Sequence, residues 1–215
     1  EKLNQATQVR KFNNAETYLI MGDAYRKLID GGNAVTSYNK ALAIDPKLAA
    51  AKTKIGRVYL TQNNPDYFLP AFESATQLDP AYIPAYFELY YYYYFRDVNK
   101  AAGYLDKYVA SADPGPRVEE MKTDFLYSSA KFKEARDSAQ PLIARYGDKV
   151  NPRMYRLVAY TSDTLGDAQA AKQAMTTFLA NPGEGPILPA DYEELANTNS
   201  KIPGSEQEAF TNLQQ

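Results

Sequence analysis

Residues 15–82 read AETYLIMGDAYRKLIDGGNAVTSYNKALAIDPKL and then AAAKTKIGRVYLTQNNPDYFLPAFESATQLDPAY, two copies of one pattern offset by 34 residues. Each copy opens on a helical stripe with a small residue in its middle: Tyr18, Met21, Gly22 and Tyr25, then Lys52, Ile55, Gly56 and Tyr59. A second stripe follows, Ala34, Tyr38 and Ala41 answered by Phe68, Phe72 and Ala75, and the copies close on Asp45-Pro46 and Asp79-Pro80. Apolar residues at i, i+3, i+4 and i+7 form one face of a helix, so two stripes joined by a turn predict an antiparallel helix pair. Glycine inside a helix costs about 1 kcal/mol relative to alanine, and a neighbouring helix in close approach offsets that cost; Tyr38 and Phe72 are the bulky partners for Gly22 and Gly56. One pair cannot bury its own face, so the period implies a stack.

Working outward, Asp30-Gly31-Gly32-Asn33 and Asn63-Asn64-Pro65-Asp66 supply permissive backbone, capping side chains and a proline suited to a first helical turn. A third unit, about 83–115, has Ala101, Leu105 and Tyr108 inward, one residue earlier than the strict period. A fourth, about 116–151, keeps Ala135, Ala139 and Leu142 but has Lys122 and Thr123 where an apolar residue and glycine stood. A fifth, about 152–188, restores the pattern with Tyr155, Val158, Ala159, Ala171, Met175 and Phe178. A partial sixth, 189–215, carries Tyr192, Leu195, Ala196, Ala209, Phe210 and Leu213. Residues 1–14, with Leu3, Ala6 and Val9 at helical spacing, are expected to be the remnant helix of a preceding repeat, and 15–215 to form a single solenoid cut from a longer array.

The pattern in 15–82 resembles the tetratricopeptide repeat (TPR), here in a divergent, bacterial-type array. The resemblance implies an all-α, right-handed α-solenoid of antiparallel helix pairs, with the first helix of each pair lining a concave groove. TPR modules that clamp a peptide's terminal carboxylate use Lys, Asn and Arg in three successive repeats. The matching places here hold Leu19 and Asp23, Lys54, then Pro84 and Glu88, so that clamp is not expected.

Composition narrows the function classes. With no His and no Cys the commonest general base and thiol nucleophile are missing, no Gly-rich phosphate loop or GxSxG elbow occurs, and the carboxylate groups read as solvated surface charge. No enzyme activity, cofactor or metal is expected. A net charge of −2, with Lys and Arg scattered, gives no field for nucleic acid. No 18-residue apolar run is present, so no membrane insertion is expected, and a cysteine-free chain suits a cytoplasmic or a periplasmic, cell-envelope setting equally.

The remaining feature is AYFELYYYYYFRD, 85–97. Successive helical residues turn by about 100°, so these rings must divide between faces. Tyr86, Leu89, Tyr90 and Tyr93 continue the core stripe, and Phe87, Tyr91 and Tyr94 form a second one. By the TPR resemblance this second stripe faces the groove with Arg57, Tyr127, Arg153, Arg156 and Tyr160, an aromatic-centred surface for a protein or peptide partner. Tyrosine stacking on sugar rings, which would make a carbohydrate-binding module, and self-association of a structural array are the other function classes these rings fit, as is simple covering of an inter-repeat joint.

Overall fold

The computed structural model describes residues 13–212 and 214 of the chain. Leu3, Ala6, Val9 and Leu213 lie outside them. Among the described residues twelve α-helices follow in pairs: α1 (Ala15–Lys27) with α2 (Gly31–Ile44), α3 (Ala49–Thr61) with α4 (Pro65–Leu78), α5 (Ile83–Tyr93) with α6 (Val98–Ser111), α7 (Pro116–Ser128) with α8 (Phe132–Tyr146), α9 (Arg153–Thr164) with α10 (Ala168–Ala180), and α11 (Pro189–Ser200) with α12 (Glu206–Asn212). A single 3-10 turn, Gly147–Lys149, follows α8, and no strand occurs among the described residues. The chain divides into two compact units, Glu1–Ala112 and Asp113–Gln215. The fold is all-α, built of TPR-type helix pairs.

In the first unit the two glycines sit where the rings require them. A Cβ added to Gly22 would overlap the Tyr38 ring, with Tyr38 Cδ1 at 2.5 Å, and one on Gly56 would meet Phe72 Cδ1 at 2.7 Å. Tyr38 and Phe72 are completely buried. Where α3, α4 and α5 meet, Ala49, Ala75 and Ala85 form a tight cluster that larger side chains would open. In the third pair Ala101, Leu105 and Tyr108 are the buried residues of α6, so the one-residue register slip is real.

In the second unit, Ala135, Ala139 and Leu142 line the inner face of α8, while Thr123 is fully buried and its Oγ1 lies 2.7 Å from Ser138 Oγ. A small polar pair thus replaces the glycine and ring. In α9 and α10, Ala159 and Met175 are both buried. Phe210, expected inward on the last helix, is instead 59% exposed, because α12 has only seven residues and buries Ala209 alone.

Four of the first helices, α1, α3, α7 and α9, end alike. In the α1–α2 turn Ile29 N–H donates to the Arg26 carbonyl (3.0 Å) and Asp30 N–H to the Tyr25 carbonyl (2.9 Å), the paired bonds of a Schellman cap. The same two bonds close α3, α7 and α9, with Asn63, Ala130 and Gly166 in the left-handed position. The permissive backbone expected at Gly31-Gly32 is instead two residues before Gly31: both glycines begin α2, and Ile29 carries the positive φ of 60°. The Asp-Pro pairs work as read. Asp45 Oδ1 accepts from Lys47 N–H at 3.0 Å and Asp79 Oδ1 from Ala81 N–H at 2.9 Å, turning the chain after the last helical residue.

Two substitutions check this. Gly56→Leu should lower stability by about 1–3 kcal/mol by overpacking on Phe72, read as a drop in urea midpoint at unchanged m-value. Ile29→Asn should raise it by about 1 kcal/mol, since a β-branched residue is strained in the left-handed region and this one is 93% exposed.

Candidate interaction face

The residue after each small position decides what joins one pair to the next. Asp23, after Gly22, accepts from Tyr38 Oη (2.8 Å) and from Lys54 Nζ of the following first helix (2.8 Å). Burial alone would raise the Asp23 carboxyl, but Lys54 and Tyr38 together hold it below the usual carboxylate range, and burial with the Asp23 bond pushes the Tyr38 phenol well above 10. Arg57, after Gly56, donates from Nε to Glu88 Oε1 at 2.7 Å. Both bridges span 31 positions, the repeat of 34 less one helical turn. That spacing of opposite charges was present in the sequence as a signal for the ladder. The places where a carboxylate clamp would sit are thus taken up: Asp23, Lys54 and Glu88 neutralise one another or Arg57.

On α5, Tyr86, Leu89 and Tyr90 are buried as expected. Phe87 and Tyr91 are half-buried, their ring centroids 4.7 Å apart. Tyr93, the last residue of the α-helix, packs against the cluster of Phe68, Phe72 and Leu89 as expected and stacks on Tyr104 of α6 (5.8 Å, 20°), whereas Tyr94 leaves the second stripe for the core. Tyr94, one turn beyond Tyr90, folds back on it edge to face at 5.6 Å and is only 3% exposed. Phe95 projects from the α5–α6 turn, 74% exposed.

In the second unit Tyr127 packs against the core and Phe132, and burial raises its phenol. Arg153 pairs with Asp124 at 3.3 Å; burial still pushes the Asp124 carboxyl up to about 6. Arg156 Nε donates to the buried Asp191 at 2.6 Å and lies over the Phe178 ring, and Tyr160 Oη donates to Asp191 (3.2 Å) and to the Ala190 carbonyl (3.1 Å). Asp191 also caps α11 through Leu188 N–H at 2.8 Å. Arg156 and Tyr160 therefore tie α9 to α11. Burial and the Asp191 charge push the Tyr160 phenol up to about 12.

A cleft of about 860 Å³ opens beside the α7 and α9 N-termini. Its lining alternates Arg117, Lys149 and Arg153 with Glu120, Asp148 and Glu184, so it presents no field of one sign. Among the described residues no three His, Cys, Asp or Glu side chains are grouped to hold a metal ion, and no helix is long and apolar enough to cross a membrane.

The family model for the tetratricopeptide repeat matches residues 15–48. That match covers one helix pair, α1 with α2. Among solved structures the TPR fold is shared with PilW, a type IV pilus biogenesis factor (17% identity, TM-score 0.73, 93% of this chain and 92% of that one). It is shared too with PilF of Pseudomonas aeruginosa (15%, 0.73, 100% and 93%) and with a TPR protein of Parabacteroides merdae (14%, 0.69, 97% and 83%). At these identities the likeness is one of fold. No curated protein matches the chain significantly.

Glu194 gives the site a pH dependence. Its Oε1 is buried with no hydrogen-bond partner, and burial, then the Asp163 and Asp191 charges, push the carboxyl from 4.5 up to about 7 against the opposing pull of Lys201. A raised folded pKa adds stability that is complete below the unfolded value and is lost as pH rises through the folded one. The second unit should therefore weaken between pH 4.5 and 7. Glu194→Gln should flatten that slope and raise stability at pH 8 by about 1 kcal/mol, allowing for solvent screening of a half-exposed side chain, as measured by thermal melts across pH.

Proposed function

We propose that the chain is a non-catalytic interaction scaffold that takes a peptide or protein partner on the face of its first helices, centred in the first unit on Phe87 and Tyr91 with Arg57 beside them. The observation that carries this is the double aromatic face of α5. Folding needs one apolar side of the helix, which Tyr86, Leu89 and Tyr90 fill at 6% exposure or less, yet Phe87 and Tyr91 add a ring pair on a second, half-exposed side. Tyrosine and phenylalanine bring rigid apolar area at little entropic cost, the composition of binding hot spots. Tyr94 supports the patch from beneath through its 6.2 Å contact with Tyr91. In the second unit the corresponding patch is Tyr127 and Arg153, with Arg156 and Tyr160 as its support. TPR folds are in general non-catalytic scaffolds, which agrees with a chain lacking His and Cys.

The test is Phe87→Ala with Tyr91→Ala, comparing affinity for a partner captured by the wild-type chain with thermal stability. Binding should fall by tenfold or more, about 2 kcal/mol, with a smaller loss of stability. Undiminished binding would remove the patch from the interface.

A further inference from the structure

The ladder that joins successive first helices leaves one charge without its counterpart. In the first unit each bridge starts at the residue after the small position of one first helix and ends two residues before that position in the next. Asp23 thus meets Lys54, two before Gly56, and Arg57 meets Glu88, two before Tyr90. In the second unit the bridges land about one turn earlier, Asp124 on Arg153 and Tyr160 on Asp191. The ladder place on α9 then falls to Leu157, which needs no ionic partner. On α11 it falls to Glu194, two before Ala196. The residue that the ladder would set against Glu194 is Tyr160, and a phenol brings no positive charge.

The cations of the neighbouring helices are already engaged. Lys201, two turns along α11, pairs with Asp163 of α9 at 2.6 Å, Arg156 pairs with Asp191, and Arg153 with Asp124. Between α10 and α12, Lys172 pairs with Glu208. Each of these acids has its cation, and Glu194 is the carboxylate left over. Its Oε1 is buried with no hydrogen-bond partner, while the residue as a whole stays partly exposed. Two half-buried rings share its surroundings. After burial, the Glu194 charge is the next cause that raises the Tyr127 phenol of α7, and it adds to burial and to Asp191 in raising that of Tyr160. A carboxylate among aromatic rings suits a cation, and a cation is what the ladder lacks here. We infer that the face of the first helices in the second unit takes a lysine or arginine side chain of its partner, with Glu194 as counter-ion and Tyr127 and Tyr160 beside the stem. This rests on the interaction-scaffold reading and adds to it the charge of the partner.

The experiment is selection of short peptides from a random display library on the full chain, with counter-selection on Tyr127→Ala to keep those that use the second unit. The peptides should share a Lys or Arg. One of them is then synthesised with lysine and with uncharged norleucine at that position, and both are titrated at pH 8. Norleucine should lower affinity by about tenfold or more. Glu194→Gln should lower affinity for the lysine peptide by the same factor and bind the two peptides alike. That variant should melt no lower than wild type at pH 8, so unfolding cannot account for the loss. Affinity of the wild-type chain for the lysine peptide should rise by up to about tenfold from pH 6 to pH 8, as a carboxyl that titrates at about 7 loses its proton, while the norleucine peptide shows no such rise. Peptides that share no basic residue, or a lysine preference that survives Glu194→Gln, would overturn the inference and leave the second-unit interaction face standing. If no peptide survives counter-selection, the second unit presents no such face, and the inference falls together with that part of the scaffold reading.

Discussion

The approach of an aromatic ring to a helix that has no Cβ at the point of contact is the constraint on which the first unit depends. Tyr38 lies on Gly22 and Phe72 on Gly56. Because the ring fixes how closely each second helix lies against its first, the side chain after the glycine is aimed at the next pair. Asp23 thus reaches Lys54 and Arg57 reaches Glu88. A packing contact and an ion pair are one device, set by two adjacent residues.

The second unit varies the device without abandoning it. Thr123 with Ser138, and Ala159 with Met175, take the place of glycine and ring. The following residues, Asp124 and Tyr160, again reach the next first helix, at Arg153 and at Asp191. The joint between α9 and α11 is the most polar of these. Buried Asp191 accepts from a guanidinium, a phenol and a backbone N–H, satisfaction of the kind a buried carboxylate needs, whereas the Glu194 oxygen nearby has no such partner. One carboxylate consolidates the joint and the other makes it sensitive to pH.

Much of the fold was legible in the sequence because its signals are local and periodic. A glycine at a fixed place in a helical stripe, a bulky residue sixteen positions on and an Asp-Pro stop each report a contact made within one pair. The interaction face was less legible. Tyr94 could not be placed by a 100° rotation, because α5 ends just before it and a ring at the end of a helix is placed by its neighbours. Arg156 and Tyr160 looked like surface until Asp191, in a later helix, claimed both. Ile29 went unmarked because a left-handed cap announces itself only when glycine or asparagine fills it.

The most direct test of the ring-on-glycine constraint is a double-mutant cycle in urea on Gly56→Ala and Phe72→Leu. Each change alone should destabilise, the first by pressing a methyl into the ring and the second by leaving a void. Together they should recover at least about 1 kcal/mol relative to their sum, because the smaller side chain makes room for the methyl. Additivity within about 0.5 kcal/mol would show that Phe72 does not rest on Gly56, and would contradict the account of how the pairs are held.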